Sequence, residues 1–194
     1  MVRTENVSAD KLDNVLKDSN MKELDYIKID TQGSEKHILE GARNICRESV
    51  LCLEIESFFL DAYQNQSVFS DVDALVRELG FYLFDLRKYY WRRNFVDNIR
   101  GYKGQLIFCD ALYLKKIEKI PLSLPKYLKT ISFCLLYGYF DYALEILNSG
   151  FEQSILNNEQ YNIIMNSLIK CSTGFQGIIN YDDKTIGNYP WFSK

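Results

Sequence analysis

Apolar positions along the chain switch repeatedly between a spacing of two and a helical spacing, and the alternation predicts an α/β fold. Residues 25–30 (DYIKID) are short, β-branched and aromatic, as strands are. Thr31-Gln32-Gly33 breaks the run, and Ser34 is expected to cap the helix behind it. There Ile38, Leu39 and Ala42 form an apolar stripe, while Gly41, inside a run continuing to Ile45, marks a kink or close packing. Residues 50–56 (VLCLEIE) read as a second buried strand. Val72, Leu75, Val76 and Leu79 keep helical spacing over residues 71–79, with Ser67 or Ser70 as the expected cap and Gly80 as the stop. Residues 81–86 (FYLFDL) and 105–113 (QLIFCDALY) follow as strands.

The strand–helix rhythm predicts that the first three strands run parallel. No long helical pattern separates the third from the fourth, and their connection, residues 87–104, is polar and basic. These two are therefore expected to pair as an antiparallel hairpin. Ahead of the first strand, the pattern allows a short edge strand at Val7-Ser8-Ala9 and a helix holding Leu12, Val15 and Leu16, capped by Asp10 or Ser8. Beyond Pro121 and Pro125 the period is helical over residues 128–136, 142–147 and 161–171. The chain thus divides into a sheet-forming part, residues 1–118, and a helical extension, residues 119–194, whose Gly- and Asn-containing tail from Ser172 is expected to be loose.

Composition narrows the function classes. With 194 residues and 47% hydrophobic content the chain can bury a core. A net charge of -3 gives no electrostatic footing for nucleic acid or for an anionic membrane. No apolar run approaches the roughly 20 residues that cross a bilayer. The five cysteines are widely spaced, mostly within apolar runs, and show neither a disulfide framework nor zinc-ligand spacing. Buried free thiols and a cytoplasmic location are the expectation.

The candidate chemistry lies in carboxylates. In parallel sheets ligands bind outside the carboxyl ends of the strands. Asp30 ends the first strand, Glu35 opens the helix after it, and Glu54 and Glu56 end the second strand, so these acids are expected on one rim. Acids also favour turns and helix N-termini for structural reasons, and spacing alone does not separate the two roles. Lys28 shares the strand face with Asp30 and is expected either to pair with it or to reach solvent. His37, the only histidine, reads as a surface residue of its helix. Residues 87–93 (RKYYWRR) mix cations with aromatics, a combination that grips a sugar ring or an anion, or one that guards a hairpin tip against aggregation.

The run IKIDTQGSEKHILEGA, residues 27–42, resembles the signature of the FkbM-type methyltransferases, a branch of the class I S-adenosylmethionine-dependent fold. Lys11-Leu12-Asp13, LCLEIES and ELGFYLFDL resemble its flanking pieces, so the resemblance extends over about residues 7–115. It implies a partial Rossmann-like sheet with its last pair antiparallel. It also implies transfer of a methyl group from S-adenosylmethionine to a hydroxyl of a sugar or small polyol. A hydroxyl needs a base before it is a good nucleophile. Asp30 is the first candidate to orient or deprotonate it, then Glu54, then Glu35. Lys28, Gln32, Glu56, Arg87 and Trp91 are the candidate acceptor-binding residues.

The family's glycine-rich cofactor turn has no counterpart here: the ten glycines include no G-x-G pair. No cofactor-binding or metal-binding residue is therefore assigned. The expectation is an acceptor-side portion, completed by a cofactor-binding half or partner chain, with an open and only marginally stable sheet edge. The competing expectation is a non-catalytic α/β module with a helical cap that docks on a protein or glycan.

Overall fold

The computed structural model describes residues 5–19, 21, 23–93, 103–174, 182 and 184–186. The order of elements is α1 (Leu12–Asp18), β1 (Tyr26–Ile29), α2 (Glu35–Glu40), α3 (Arg43–Glu48), β2 (Cys52–Phe58), α4 (Phe69–Glu78), β3 (Phe81–Trp91), β4 (Gln105–Lys115), α5 (Leu124–Tyr137), α6 (Phe140–Glu152), α7 (Asn158–Ser172) and β5 (Lys184–Ile186). The sheet runs β1-β2-β4-β3-β5. β1 and β2 are parallel, and β4 is antiparallel to both β2 and β3. The first three strands therefore share one direction and the fourth opposes them, as the sequence predicts.

Each face of the sheet carries a helical layer. Leu53 and Ile55 of β2, with Ala111 and Tyr113 of β4, pack into a core with Leu39, Ile45, Val72 and Val76 from α2, α3 and α4. The alternate residues Cys52, Leu112 and Leu114 pack against Tyr127, Ile131, Cys134 and Ile146 from α5 and α6. The period of two in β2 thus feeds two cores at once, which is why its sequence reads as continuously apolar. Gly138 lets α5 turn sharply into α6: its φ is 88°, and Tyr139 N–H returns to Cys134 O over 2.8 Å.

Two buried lysines tie the layers together. Lys115 Nζ donates to the carbonyls of Cys46, Arg47 and Leu79, at the C-terminal ends of α3 and α4, and sits 4.3 Å above the Phe81 ring. Lys126 of α5 reaches Asp25 Oδ1 at 2.8 Å and Ser49 Oγ at 2.9 Å, pinning the second helical layer to the start of β1.

Several local expectations are corrected. The helix expected through Arg47 is two helices, because Gly41 O accepts from Asp13 N–H while the Asp13 carboxylate takes the N–H groups of Asn44 and Ile45, each at 3.0 Å. Ser34 stands at the N-cap of α2 but makes no side-chain cap bond. Neither Ser67 nor Ser70 caps α4: Val68 is the N-cap, and Asp71 reaches back to its N–H. Lys11, not Asp10 or Ser8, is the N-cap of α1; Asp10 instead accepts from Lys11 N–H and the Asn14 amide. Val7-Ser8-Ala9 forms no strand. β3 runs on to Trp91, since Tyr89 and Tyr90 continue the ladder opposite Phe108 and Leu106. The rest of the expected hairpin connection, residues 94–102, lies outside the described residues. Within the tail expected to be loose, residues 184–186 pair in parallel with Tyr89, Tyr90 and Trp91; most of that tail also lies outside the described residues. Four cysteines are buried free thiols, whereas Cys171 is exposed because it lies on the outer side of α7.

Candidate functional site

Along β2 the face turned toward α5 changes character residue by residue. Cys52 is apolar and lies under the helices, Glu54 and Glu56 follow, and Phe58 closes the series. The neighbouring strand matches it: Leu112 opposes Glu54, Asp110 opposes Glu56 and Phe108 opposes Phe58. A band of buried carboxyl groups is therefore bounded by helices on one side and by aromatic rings on the other. Phe58, Phe108 and Tyr89 form the ring wall, with Tyr89 stacked on Phe108 at 4.3 Å and Tyr63 edge-on to Phe58 at 5.8 Å.

Each candidate residue has a definite place. Glu54 lies mid-strand rather than at the strand end, because β2 continues to Phe58; Lys28 Nζ meets its Oε1 at 2.8 Å and Tyr137 O–H meets its Oε2 at 3.2 Å. Lys28 is thus committed to Glu54 and not to Asp30, since β1 and β2 run in register with Lys28 opposite Glu54. Its hydrogen bond to Glu54 raises the ammonium above its usual range. Glu56, also mid-strand, accepts from Gln32 Nε2 at 2.7 Å. Asp30, just beyond β1, is exposed and accepts from the same amide at 3.1 Å. Gln32 holds φ at 57°, and its side-chain amide oxygen Oε1 accepts from Tyr63 O–H at 2.6 Å, so this turn and the segment carrying Tyr63 meet above the carboxyl groups.

Glu35 is buried beneath that turn. Its Oε1 accepts from Thr31 N–H, Gly33 N–H and the Thr31 hydroxyl at 3.0–3.1 Å. It therefore holds the turn in shape. Arg87 and Trp91 lie in β3 rather than in a loop. Arg87 pairs with Asp110 over 3.4 Å, and Trp91 carries the Arg93 guanidinium 4.7 Å above its ring. The structure brings Asp30, Gln32, Glu54, Glu56, Lys28 and Arg87 onto one face, while Trp91 belongs to its outer aromatic end. His37 is exposed on α2.

Sequence reasoning missed Asp110 and Tyr137. Asp110 left a signal, a lone acid inside the apolar run LIFCDALYL, where a buried charge demands a partner. It has two, Arg87 and Tyr89, whose hydroxyl donates to Oδ2 at 2.9 Å. Burial, then the carboxylates of Asp30, Asp110 and Glu35, push Glu56 up to about 8 against the opposing pull of Lys28. Among the described residues no group of three or more His, Cys, Asp or Glu side chains could hold a metal ion. No helix of the described residues is long and apolar enough to cross a membrane.

The fold and face define an α/β protein whose carboxyl groups lie along one face of a mixed sheet. Residues 2–83 match the family model of the methyltransferase FkbM domain, so that stretch is similar to FkbM methyltransferases. The match ends inside β3, short of residue 115 where the resemblance was expected to reach. It supports methyltransferase activity in general. No curated protein and no solved structure matches the chain.

Proposed function

We propose that the chain supplies the acceptor side of an S-adenosylmethionine-dependent O-methyltransferase acting on a hydroxyl of a sugar or small polyol. The observation that carries this reading is the meeting of Asp30, Gln32 and Glu56 beside a wall of aromatic rings. Carboxyl and amide groups hydrogen-bond hydroxyls, and ring faces cover the apolar side of a sugar. In this reading Asp30, exposed at the rim, orients the acceptor hydroxyl. Glu54 sets the charge around it through Lys28, and Glu35 keeps the turn in place. Arg87 and Trp91 extend the acceptor surface.

The methyltransferase family implies S-adenosylmethionine as the methyl donor. The turn after β1 is filled: a Cβ on Gly33 would meet Gln66 Cγ at 3.3 Å and Tyr63 Cδ2 at 3.5 Å. No residue of this chain is assigned to hold the cofactor. A cofactor-binding portion or partner chain has a place to join along the outer edge of β1, which has no strand partner among the described residues. A cytoplasmic setting, which keeps the buried thiols reduced, belongs to the same proposal.

The test is methyl transfer from labelled S-adenosylmethionine to a panel of sugars and polyols by the complete enzyme. Asp30→Asn keeps shape and hydrogen-bonding reach but removes the charge that orients the hydroxyl, and should slow transfer. An unchanged rate removes Asp30 from the reaction. Calorimetry on this chain alone should find no micromolar binding of the cofactor.

A second reading, a non-catalytic module that docks on a protein or glycan, is favoured by one observation. Glu54 and Glu35 are both engaged by groups of the chain itself. Glycan binding without transfer, unaffected by Asp30→Asn, would establish that reading instead.

A further inference from the structure

The carboxyl groups of the site are not equivalent. Glu54 has a cation, Lys28, and Asp110 has a cation, Arg87. Glu56 lies on the same sheet face, directly opposite Asp110 in the β2–β4 register, and has no cation of its own among the described residues. Like charges directly across a strand pair repel, and burial sharpens the repulsion. Glu56 is 7% exposed and Asp110 is 6% exposed, so water does little to relieve it. Among the described residues, the one side-chain partner of Glu56 is the neutral amide of Gln32 at Oε2. Its second oxygen, Oε1, accepts from no group among the described residues.

We propose that Glu56, flanked by Asp30 and Asp110, is the group of this site that exchanges a proton with a bound hydroxyl, and that Asp110 is a positioning residue acting through it. The proposal deepens the methyltransferase reading and rests on it for the identity of the hydroxyl. In the exchange, the O–H bond of the ligand breaks, its electron pair stays on the ligand oxygen, and the proton passes to Oε1 of the Glu56 carboxylate. A base serves best when its midpoint lies near the working pH. The groups facing Glu56 set that midpoint. From the β1 side these are Lys28, Asp30 and Gln32, and from α2 Glu35. Tyr63 faces it from the loop, Asp110 from β4, and Arg87 and Tyr89 from β3. Burial and the three acids outweigh Lys28 and bring the midpoint to about 8. Arg87 and Tyr89 are directed to Asp110. Asp30, exposed at the rim, orients the hydroxyl while Glu56 behind it takes the proton.

The experiment is a carboxyl carbon-13 NMR titration of the full chain, with the Glu56 resonance assigned by its loss in Glu56→Gln. The expected result is an inflection near pH 8. Asp30→Asn and Asp110→Asn should each lower it measurably, because each removes a like charge. Asp110→Asn also disturbs Arg87 and Tyr89, so Asp30→Asn, at the exposed rim, is the variant that reads the effect if the other fails to fold. An inflection in the ordinary glutamate range overturns the proposal. So does a high inflection that neither variant moves, since burial alone would then set it. The titration needs neither methyl donor nor acceptor. A midpoint near 8 in an enzyme that methylates no hydroxyl would overturn the proposed function and leave the proton-exchanging role of Glu56 standing.

Discussion

The hydroxyl of Tyr137, the last residue of α5, donates to Glu54 Oε2 across 3.2 Å, joining residues 83 positions apart. Lys28 holds the other oxygen of the same carboxyl at 2.8 Å. A residue of the helical layer therefore helps fix an acid of the sheet, and the helices are part of the site's construction.

Tyr137→Phe removes that donor while keeping the ring in the core. Chemical denaturation should show a loss of about 1.5–3 kcal/mol, the range for a hydrogen bond to a charged group. No change in the unfolding midpoint would mean that Glu54 is held by Lys28 alone.

Lys126→Met should loosen the helical layer from the sheet. Lys126 is buried and bonded to Asp25 and to both oxygens of Ser49, while Lys129 also reaches Asp25, at 2.6 Å. Burial disfavours the Asp25 carboxylate, but the two lysines outweigh it and hold Asp25 below its usual range. The folded chain therefore releases this proton more readily than the unfolded chain. The stabilisation is present above the ordinary aspartate range and is lost as pH falls through the lowered value. Thermal melts of the parent should drop below about pH 4, and those of Lys126→Met should drop less.

Glu35→Ala should cost about 1–3 kcal/mol, because Thr31 N–H and Gly33 N–H lose their acceptor beneath a packed turn. Glu35→Gln keeps an acceptor oxygen and should cost less. Equal melting temperatures for Glu35→Ala and the parent would show that the turn holds its shape without this carboxyl.

Glu56 reverses the usual pH dependence of an acid. With its folded midpoint raised to about 8, the folded chain keeps a proton that the unfolded chain has released. Stability should therefore decline as pH rises from about 4.5 through about 8, and Glu56→Gln should flatten that decline. Matching stability profiles for the two proteins over this window would contradict it.

The order of elements was legible because strand and helix periods are local. Residues 25–30, 50–56 and 81–86 fall on β1, β2 and β3, and the absence of a helical pattern between β3 and β4 led correctly to their antiparallel pairing. Caps were less legible. Serines are good local capping residues, yet the first turn of α3 is capped by Asp13 from another helix, and a carboxyl buried within α2 supports the turn before it.

By itself, the sequence determined that Asp30, Gln32 and Glu35 surround one turn, because they are neighbours in the chain and β1 must end there. Only the tertiary structure decided what each acid touches. The β1–β2 register turns Lys28 to Glu54, and the β2–β4 register sets Asp110 against Glu56. The Gly138 turn ends α5 where Tyr137 reaches Glu54. These relations depend on strand register and layer packing between residues far apart in the chain, where no local period carries the information.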